Sequence, residues 1–165
     1  MRSCSSVKLV ASGRASEIFD LEDGRVLRRF KGGGDPEREA LVMRHAAVHG
    51  YPVPCVLEVR GDALVLERIE GPSMLADLRR RPWTFRRRVS VLAELHKQLH
   101  EIAAPPGLAD ADGGDRLLHL DLHPENVIMS PAGPVVIDWT CVTSTSTSRD
   151  ERYRLPPHAG SPTQT

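Results

Sequence analysis

The segment with the clearest chemical content reads HLDLHPEN at residues 119–126 and is followed by VIDW at residues 136–139. Transfer of a phosphoryl group from ATP to a hydroxyl needs a carboxylate that orients the acceptor and takes its proton, and it needs oxygen ligands for magnesium. Asp121 is the candidate base. Asn126 and Asp138 are the candidate magnesium ligands.

A hairpin is predicted between these two metal ligands. Residues 127–129 and 135–137 are short β-prone runs, and the sequence SPAGP at 130–134 is typical of a turn. Because an antiparallel hairpin returns the chain to its starting point, Asn126 and Asp138 are expected side by side. Magnesium keeps several waters and takes one or two protein carboxylates, so an Asn and an Asp are sufficient.

These motifs resemble the catalytic segment of the protein-kinase-like fold, in its aminoglycoside phosphotransferase and choline kinase-like branch. Leu120 stands where protein kinases usually have an Arg, His123-Pro124 occupies the middle of the loop, and Trp139 follows Asp138. The resemblance implies ATP-dependent phosphorylation of a small-molecule hydroxyl. The alternative is that these polar residues only satisfy a loop and cap a strand.

The preceding residues are expected to supply an ATP-binding lobe. Residues 7–11 and 17–21 are predicted strands around a small polar turn whose backbone N–H groups can lie over phosphates, with Ser12, Gly13 and Ser16 as candidate contacts. An ordinary hairpin turn remains the alternative. Residues 25–28 form a third predicted strand, on which Val26 and Arg28 share one face because side chains alternate.

The resemblance implies a role for each of these two residues. Val26 would cover the adenine, and Arg28 would replace the usual phosphate-binding Lys, with a planar fork in place of a point charge. The partner implied for Arg28 is Glu39, on a helix that begins after the N-cap Asp35 and ends before Gly50. A solvated Glu39 near the helix N-terminus is the alternative. Apolar faces of this helix are assigned to Ala40, Leu41, Ala47 and Val48.

Residues 67–72 are similar to the hinge of the family, where Glu67, Arg68 and Ile69 would present backbone groups to the adenine. Ser73 is predicted to cap a short helix that ends at Arg79, and Thr84 opens a longer one. The apolar stripe of the longer helix, interpreted as core, comprises Val89, Leu92, Leu95, His96, Leu99, Ile102 and Ala103.

Composition favours a cytoplasmic protein without nucleic-acid or membrane partners. Formal net charge is zero, no apolar run is long enough to span a bilayer, and the three cysteines are too few and too far apart for a disulfide framework. The arginine triplets at 79–81 and 86–88 are interpreted as solvated faces. A basic patch that attracts an anionic partner is the alternative.

Two histidine pairs, His96 with His100 and His119 with His123, have a spacing that can bind zinc. His96 shares the apolar stripe, and Pro124 disfavours a helix through His123. The favoured interpretation makes His119 a structural support of the catalytic loop.

The predicted fold is α+β and protein-kinase-like, with a small β-rich N-lobe (1–66), a hinge (67–72) and an incomplete, mainly helical C-lobe (73–140). Residues 141–165 are rich in Ser, Thr and Pro and are predicted to be disordered. Because the resemblance is expected to stop near Thr140, the sequence suggests a truncated kinase. A catalytically inactive nucleotide-binding remnant is therefore the alternative function, and exposed C-lobe surface is expected to favour a protein partner or self-association.

Overall fold

The N-terminal part of the chain forms one antiparallel sheet. The structure is a computed structural model that describes residues 8–13, 16–106, 108, 116–139 and 142–145. The strands of the sheet are β1 (Lys8–Ser12), β2 (Ser16–Asp20), β3 (Arg25–Phe30), β4 (Val56–Arg60) and β5 (Ala63–Glu67). Their order is β1-β2-β3-β5-β4. The sequence analysis did not predict β4, although its Val-Leu-Glu-Val run is β-prone.

Helix α1 (Pro36–Val48) lies between β3 and β4 in the chain and contacts β4 and β5. Its N-cap is Asp35 as predicted, and the Oδ1 atom of Asp35 accepts a hydrogen bond from the backbone N–H of Arg38 at 3.0 Å. The predicted apolar faces are partly wrong, because the face that turns inward includes Glu39 and Met43, and Val48 is 84% exposed. The buried residues of α1 are Pro36, Glu39, Ala40, Val42, Met43 and Ala46.

Residues 74–101, which follow the hinge, are mainly helical. Helix α2 (Met74–Arg80) is capped by Ser73, whose Oγ accepts from the N–H of Ala76 at 3.2 Å. A 3₁₀ turn, Pro82–Thr84, leads into α3 (Phe85–Glu101), which buries Leu95 and Leu99. Val89 was predicted in the core and is instead 47% exposed, because the neighbouring Val91 packs against the core.

Four short strands surround the catalytic motif. They are β6 (Arg116–His119), β7 (Val127–Ser130), β8 (Gly133–Val136) and β9 (Val142–Thr145). Strands β7 and β8 form the predicted hairpin, with Val127 opposite Val136. Strand β9 pairs antiparallel with β6. The prediction of disorder is therefore wrong for residues 142–145, where the backbone groups of β6 offer a pairing edge, and the rest of the predicted tail lies outside the described residues.

The hinge packs directly against the hairpin. Gly71 has φ 144°, and a Cβ at this position would lie 2.4 Å from the carbonyl oxygen of Met129, so only glycine fits without a shift. The N–H of Met129 donates to the carbonyl of Pro72 at 2.8 Å. The hairpin is thereby held at the exit of the hinge, opposite the sheet.

None of the helices in the described ranges is long and apolar enough to cross a membrane.

Candidate active site

A cavity of about 450 Å³ lies between the sheet, the hinge and the β7–β8 hairpin. Most of the residues predicted for nucleotide or metal binding line it, namely Gly13, Ser16, Val26, Arg28, Glu39, Glu67, Arg68, Ile69, Asn126 and Asp138. Ser12 and Asp121 do not line the cavity. Ser12 instead accepts a hydrogen bond from Lys31 Nζ at 2.8 Å, and Asp121 lies beside Asn126 with its side chain 56% exposed.

Arg28 joins three elements through three different nitrogens. Nη1 lies 2.6 Å from Glu39 Oε1, and Nη2 lies 2.5 Å from Asp138 Oδ1. Nε donates to Ser16 Oγ at 3.2 Å. The pairing with Glu39 that the sequence predicted is present, and the link to Asp138 was not foreseen. A planar guanidinium can make these contacts together because its donors point in different directions, whereas an ammonium is a single point charge.

Glu39 is a buried carboxyl group with an unusual pKa. Burial raises the pKa of Glu39 to about 7, the charge of Arg28 counteracts this shift, and the nearby Asp138 reinforces it. The side chain is 3% exposed, and among the residues that the structure describes none lies within hydrogen-bond distance of its Oε2 atom. Leaving a buried acceptor unsatisfied costs free energy, so the carboxylate form depends on Arg28 and on the backbone N–H of Trp139, both of which lower the pKa of Glu39.

Asp138 has a left-handed backbone, with φ 65°. This conformation is uncommon outside glycine, although Asp tolerates it better than most residues, and it tends to mark functional positions. Asp138 lies two residues after the end of β8. The left-handed backbone places its carboxylate in the cavity, next to the guanidinium group of Arg28. The side chain is 45% exposed, so the carboxylate stays open to solvent and to ligands.

Asn126 is oriented by the catalytic loop. Its Nδ2 atom donates to the backbone carbonyl of Asp121 at 2.9 Å and to Asp121 Oδ2 at 3.2 Å. The amide nitrogen therefore points at Asp121, which leaves Oδ1 as the atom available to a cation. The N–H of Ile137 donates to the carbonyl of Asn126 at 2.9 Å, so the two ends of the hairpin meet as predicted.

The donor set at this place fits magnesium. One carboxylate and one amide oxygen are hard ligands of the kind that Mg²⁺ takes, with water and phosphate oxygens completing the shell. Within the described residues, no group of three or more His, Cys, Asp or Glu side chains is arranged to hold a metal. A magnesium ion at Asn126 and Asp138 would therefore depend on phosphate oxygens and water for its other ligands.

His119 couples the loop to the strand end before Asp138. Its Nε2 lies 3.2 Å from the carbonyl of Ile137, and its Nδ1 accepts from the N–H of Asp121 at 3.3 Å. Burial lowers the pKa of His119, which favours the neutral ring that this pair of contacts requires. The ring also packs edge-on against the buried Trp139, with centroids 4.9 Å apart. His119 thus has the structural position that was predicted for it.

The hinge forms one side of the cavity. The N–H groups of Glu67 and Arg68 donate to the carbonyls of Cys55 and Gly24 at 2.9 and 3.0 Å. Since these two donors are already used, they are not open to the ligand pairing that was predicted for the backbone of Glu67 and Arg68. The side chain of Arg68 pairs with Asp20, which ties the hinge to β2.

Several lining residues were missed in the sequence analysis. They are mostly apolar, including Val10, Ile18, Met43, Pro54, Leu66, Ile128 and Ile137. Ile128 and Ile137 lie within two residues of Asn126 and Asp138, and this nearness in sequence was a usable signal. Lys31 does not line the cavity but donates to the carbonyl of Gly13 at 3.1 Å, and this contact had no sequence signal because it depends on the pairing of β2 with β3. Residues 14 and 15 of the predicted phosphate turn lie outside the described residues.

The fold defines the class of structure to which this chain belongs: it is the protein-kinase-like fold. Residues 79–150 match the sequence model of the phosphotransferase enzyme family. The predicted resemblance is therefore confirmed, and because the match extends past Thr140, the expectation that the likeness stops there is wrong. No protein of curated function matches the sequence.

Solved structures show the same fold. A choline/ethanolamine kinase family protein from Mesorhizobium loti superposes with TM-score 0.59 at 18% identity, covering 87% of this chain and 62% of that one. An ethanolamine kinase from Plasmodium vivax gives 0.59 at 12% identity, covering 84% and 57%. An aminoglycoside phosphotransferase from Alicyclobacillus acidocaldarius gives 0.56 at 15% identity, covering 87% and 65%. This chain thus spans less than two thirds of the length of each of the three.

Proposed function

We propose that this chain is an ATP- and magnesium-dependent phosphotransferase that acts on a hydroxyl of a small molecule. The observation that carries the proposal is the ion pair between Arg28 and Asp138. It joins the sheet lobe to the catalytic hairpin across the cavity, at 2.5 Å. A phosphate chain placed there would meet the cation of one lobe and the metal ligands of the other.

The residues of the chain have distinct roles in this proposal. Val26 and the hinge hold the adenine, and Arg28, positioned by Glu39, contacts the phosphates. Asp121 orients the acceptor hydroxyl and takes its proton as the oxygen bonds to the γ-phosphorus, while the bond from that phosphorus to the β–γ bridging oxygen breaks and ADP leaves. Bound at Asn126 and Asp138, magnesium would neutralise charge on the phosphate oxygens.

The partly exposed position of Asp121 suits this role. The carboxylate lies beside the cavity rather than within it, so an acceptor can approach from solvent. His123 Nε2 lies 3.6 Å from Asp121 Oδ1, which limits the orientations of the carboxylate. The inactive-remnant alternative is less favoured, because Arg28, Asn126 and Asp138 line the cleft and Asp121 lies beside it. A cytoplasmic location, where ATP is abundant, belongs to the same proposal.

Acceptor-dependent ADP formation tests the proposal. Purified protein would be supplied with Mg²⁺ and ATP, with and without pools of amino alcohols, aminoglycosides and sugars, and any acceptor would be checked for an added phosphate by mass spectrometry. We expect one pool to stimulate ADP release from the wild type and not from the Asp138→Ala variant. Equal ADP release without acceptors, or from both proteins, would contradict the proposal.

A further inference from the structure

Residues 79–88 form a surface that the proposed function does not use. They read RRRPWTFRRR, which places six arginines and no acidic residue in ten positions of a chain with zero formal net charge. The segment runs from the end of α2 through the 3₁₀ turn into α3. Trp83 and Phe85 separate the two triplets and are 78% and 60% exposed. We call residues 79–88 the arginine–aromatic surface.

The turn that carries this surface is braced from beneath. Arg88 reaches from α3 to Asp77 on α2, with Nη2 2.6 Å and Nε 2.8 Å from Oδ2, and both side chains are largely buried. The N–H and the Oγ1 of Thr84 donate to the carbonyl of Arg81 at 3.0 and 2.7 Å. The exposure of Trp83 therefore belongs to a fixed turn.

Arg88 is committed to this brace, and the other five arginines are exposed. They are Arg79, Arg80, Arg81, Arg86 and Arg87. Within the ranges that the structure describes, no carboxylate forms a salt bridge with any of the five. Arg81 and Arg87 also reach a second cavity, of about 750 Å³, that opens beside the turn. The surface thus has an excess of positive charge that the described part of the chain does not neutralise.

The charge at the start of α3 is locally unfavourable. A helix N-terminus favours acidic residues, and the first turn of α3 has none while the triplet 86–88 occupies it. A sequence that breaks such a local preference without a compensating contact in the fold tends to do so for a functional reason. An anionic partner would offset this repulsion.

We propose that the arginine–aromatic surface attaches the protein to the surface of an anionic phospholipid membrane. Clusters of four to eight basic residues bind acidic lipids, and tryptophan favours the headgroup region because its ring is amphipathic. A fluid bilayer requires no matching groove, so a turn that presents two aromatic rings between cations suits it. The proposal replaces the sequence-based expectation of no membrane partner, and it is independent of the phosphotransferase activity.

The two tryptophans of the chain provide a direct readout. Trp83 is 78% exposed and Trp139 is 1% exposed, so a blue shift of fluorescence on addition of vesicles would report Trp83. We expect the wild type to show this shift and to cosediment with phosphatidylcholine vesicles that contain about a third phosphatidylserine, and not with phosphatidylcholine alone. The Trp83→Phe variant is expected to cosediment without the shift.

A matched pair of variants isolates the arginines. The double variant Arg86→Gln/Arg87→Gln is expected to lower partitioning roughly 30-fold, from about 1 kcal/mol for each charge at an acidic surface. The control Arg44→Gln/Lys97→Gln removes the same charge from other exposed positions and is expected to change partitioning less than about threefold. Should the first variant not fold, salt titration of the wild type replaces it, and binding must weaken steeply as salt rises.

Two kinds of result would overturn the assignment. In one, the wild type does not bind anionic vesicles, or the control pair weakens binding as much as the arginine pair does. The other is tighter binding to a mixed-sequence single-stranded RNA than to vesicles, with the same dependence on Arg86 and Arg87. That second result would make the surface a nucleic-acid site, since exposed aromatic rings also stack on bases.

Discussion

The two sides of the cleft handle their charged groups in opposite ways. On the sheet side, Arg28 and Glu39 have side chains that are 6% and 3% exposed and are held to each other. On the hairpin side, the carboxylates of Asp121 and Asp138 are 56% and 45% exposed. The buried side fixes a cation in place at a cost in desolvation. The open side keeps its carboxylates solvated, as the proposed binding of a metal ion and an acceptor requires.

Loss of the Asp121 carboxylate should have the largest effect on the open side. Asp121→Asn keeps the size of the side chain and an acceptor for Asn126 but removes the base, so the rate is expected to fall about 100- to 10,000-fold. Steady-state kinetics with an identified acceptor would measure it. Glu125→Gln, in the same loop and exposed, is the control and should leave the rate nearly unchanged. A rate for Asp121→Asn that matches this control would remove Asp121 from the role of base.

On the buried side, the largest expected effect is on stability. Arg28→Met leaves Glu39 buried without its partner, and breaking one side of a buried ion pair typically costs about 3–5 kcal/mol of unfolding free energy. The double variant Arg28→Met/Glu39→Leu should recover much of this loss, since neither charge remains. Urea unfolding of the two variants gives the comparison. A double variant no more stable than the single one would show that the buried pair is not the source of the cost.

On the buried side of the cleft, Glu39 should make the free energy of unfolding depend on pH. The pKa of Glu39 is raised from 4.5 to about 7 in the folded state. The folded protein therefore holds this proton more tightly, and the contribution is complete below about pH 4.5 and is lost as pH rises through about 7. The contribution of Glu39 to the free energy of unfolding that is lost over this pH interval is at most about 3 kcal/mol.

Unfolding free energies of the wild type and Glu39→Gln at several pH values would measure this contribution. The difference between the two proteins should change over that interval, because the glutamine side chain of the variant does not titrate. A constant difference would mean that Arg28 keeps Glu39 ionised throughout.

The smallest expected effect concerns the shape of the cation. Arg28→Lys retains the charge but not the fork, so it should lose one or two of the three contacts and about 1 kcal/mol of stability. Thermal unfolding would detect the loss, with Arg29→Lys on the same strand as the control. Equal stability of the wild type and Arg28→Lys would show that the fork is not needed to hold both lobes.

Sequence reasoning was successful where local rules dominate. The hairpin, the caps at Asp35 and Ser73, and the shared face of Val26 and Arg28 follow from turn chemistry and strand alternation. It failed where tertiary packing decides. The rotation of α1 depends on how it meets the sheet, which put Val48 in solvent, and residues 142–145 form a strand only because β6 offers an edge.

The arrangement of the candidate site was likewise predictable where local rules decide it and not where tertiary packing does. That Asn126 and Asp138 lie at one cavity could be predicted because a hairpin joins them. The contact of Arg28 with Asp138 could not be predicted. The two residues are far apart in sequence, and they meet only because the tertiary fold brings β3 and the end of the hairpin to the same cavity. Lys31 was missed for a related reason, since its contacts with Ser12 and Gly13 are set by strand register.

The most direct test of the account is magnesium-dependent ATP binding, measured by calorimetry on the wild type and on Asp138→Ala, with Asp62→Ala as an exposed control. The account predicts that the wild type and the control bind ATP only when magnesium is present and that Asp138→Ala loses this dependence together with most of the affinity. Folded wild-type protein that binds no ATP, or that binds it equally well without magnesium and without Asp138, would contradict the account.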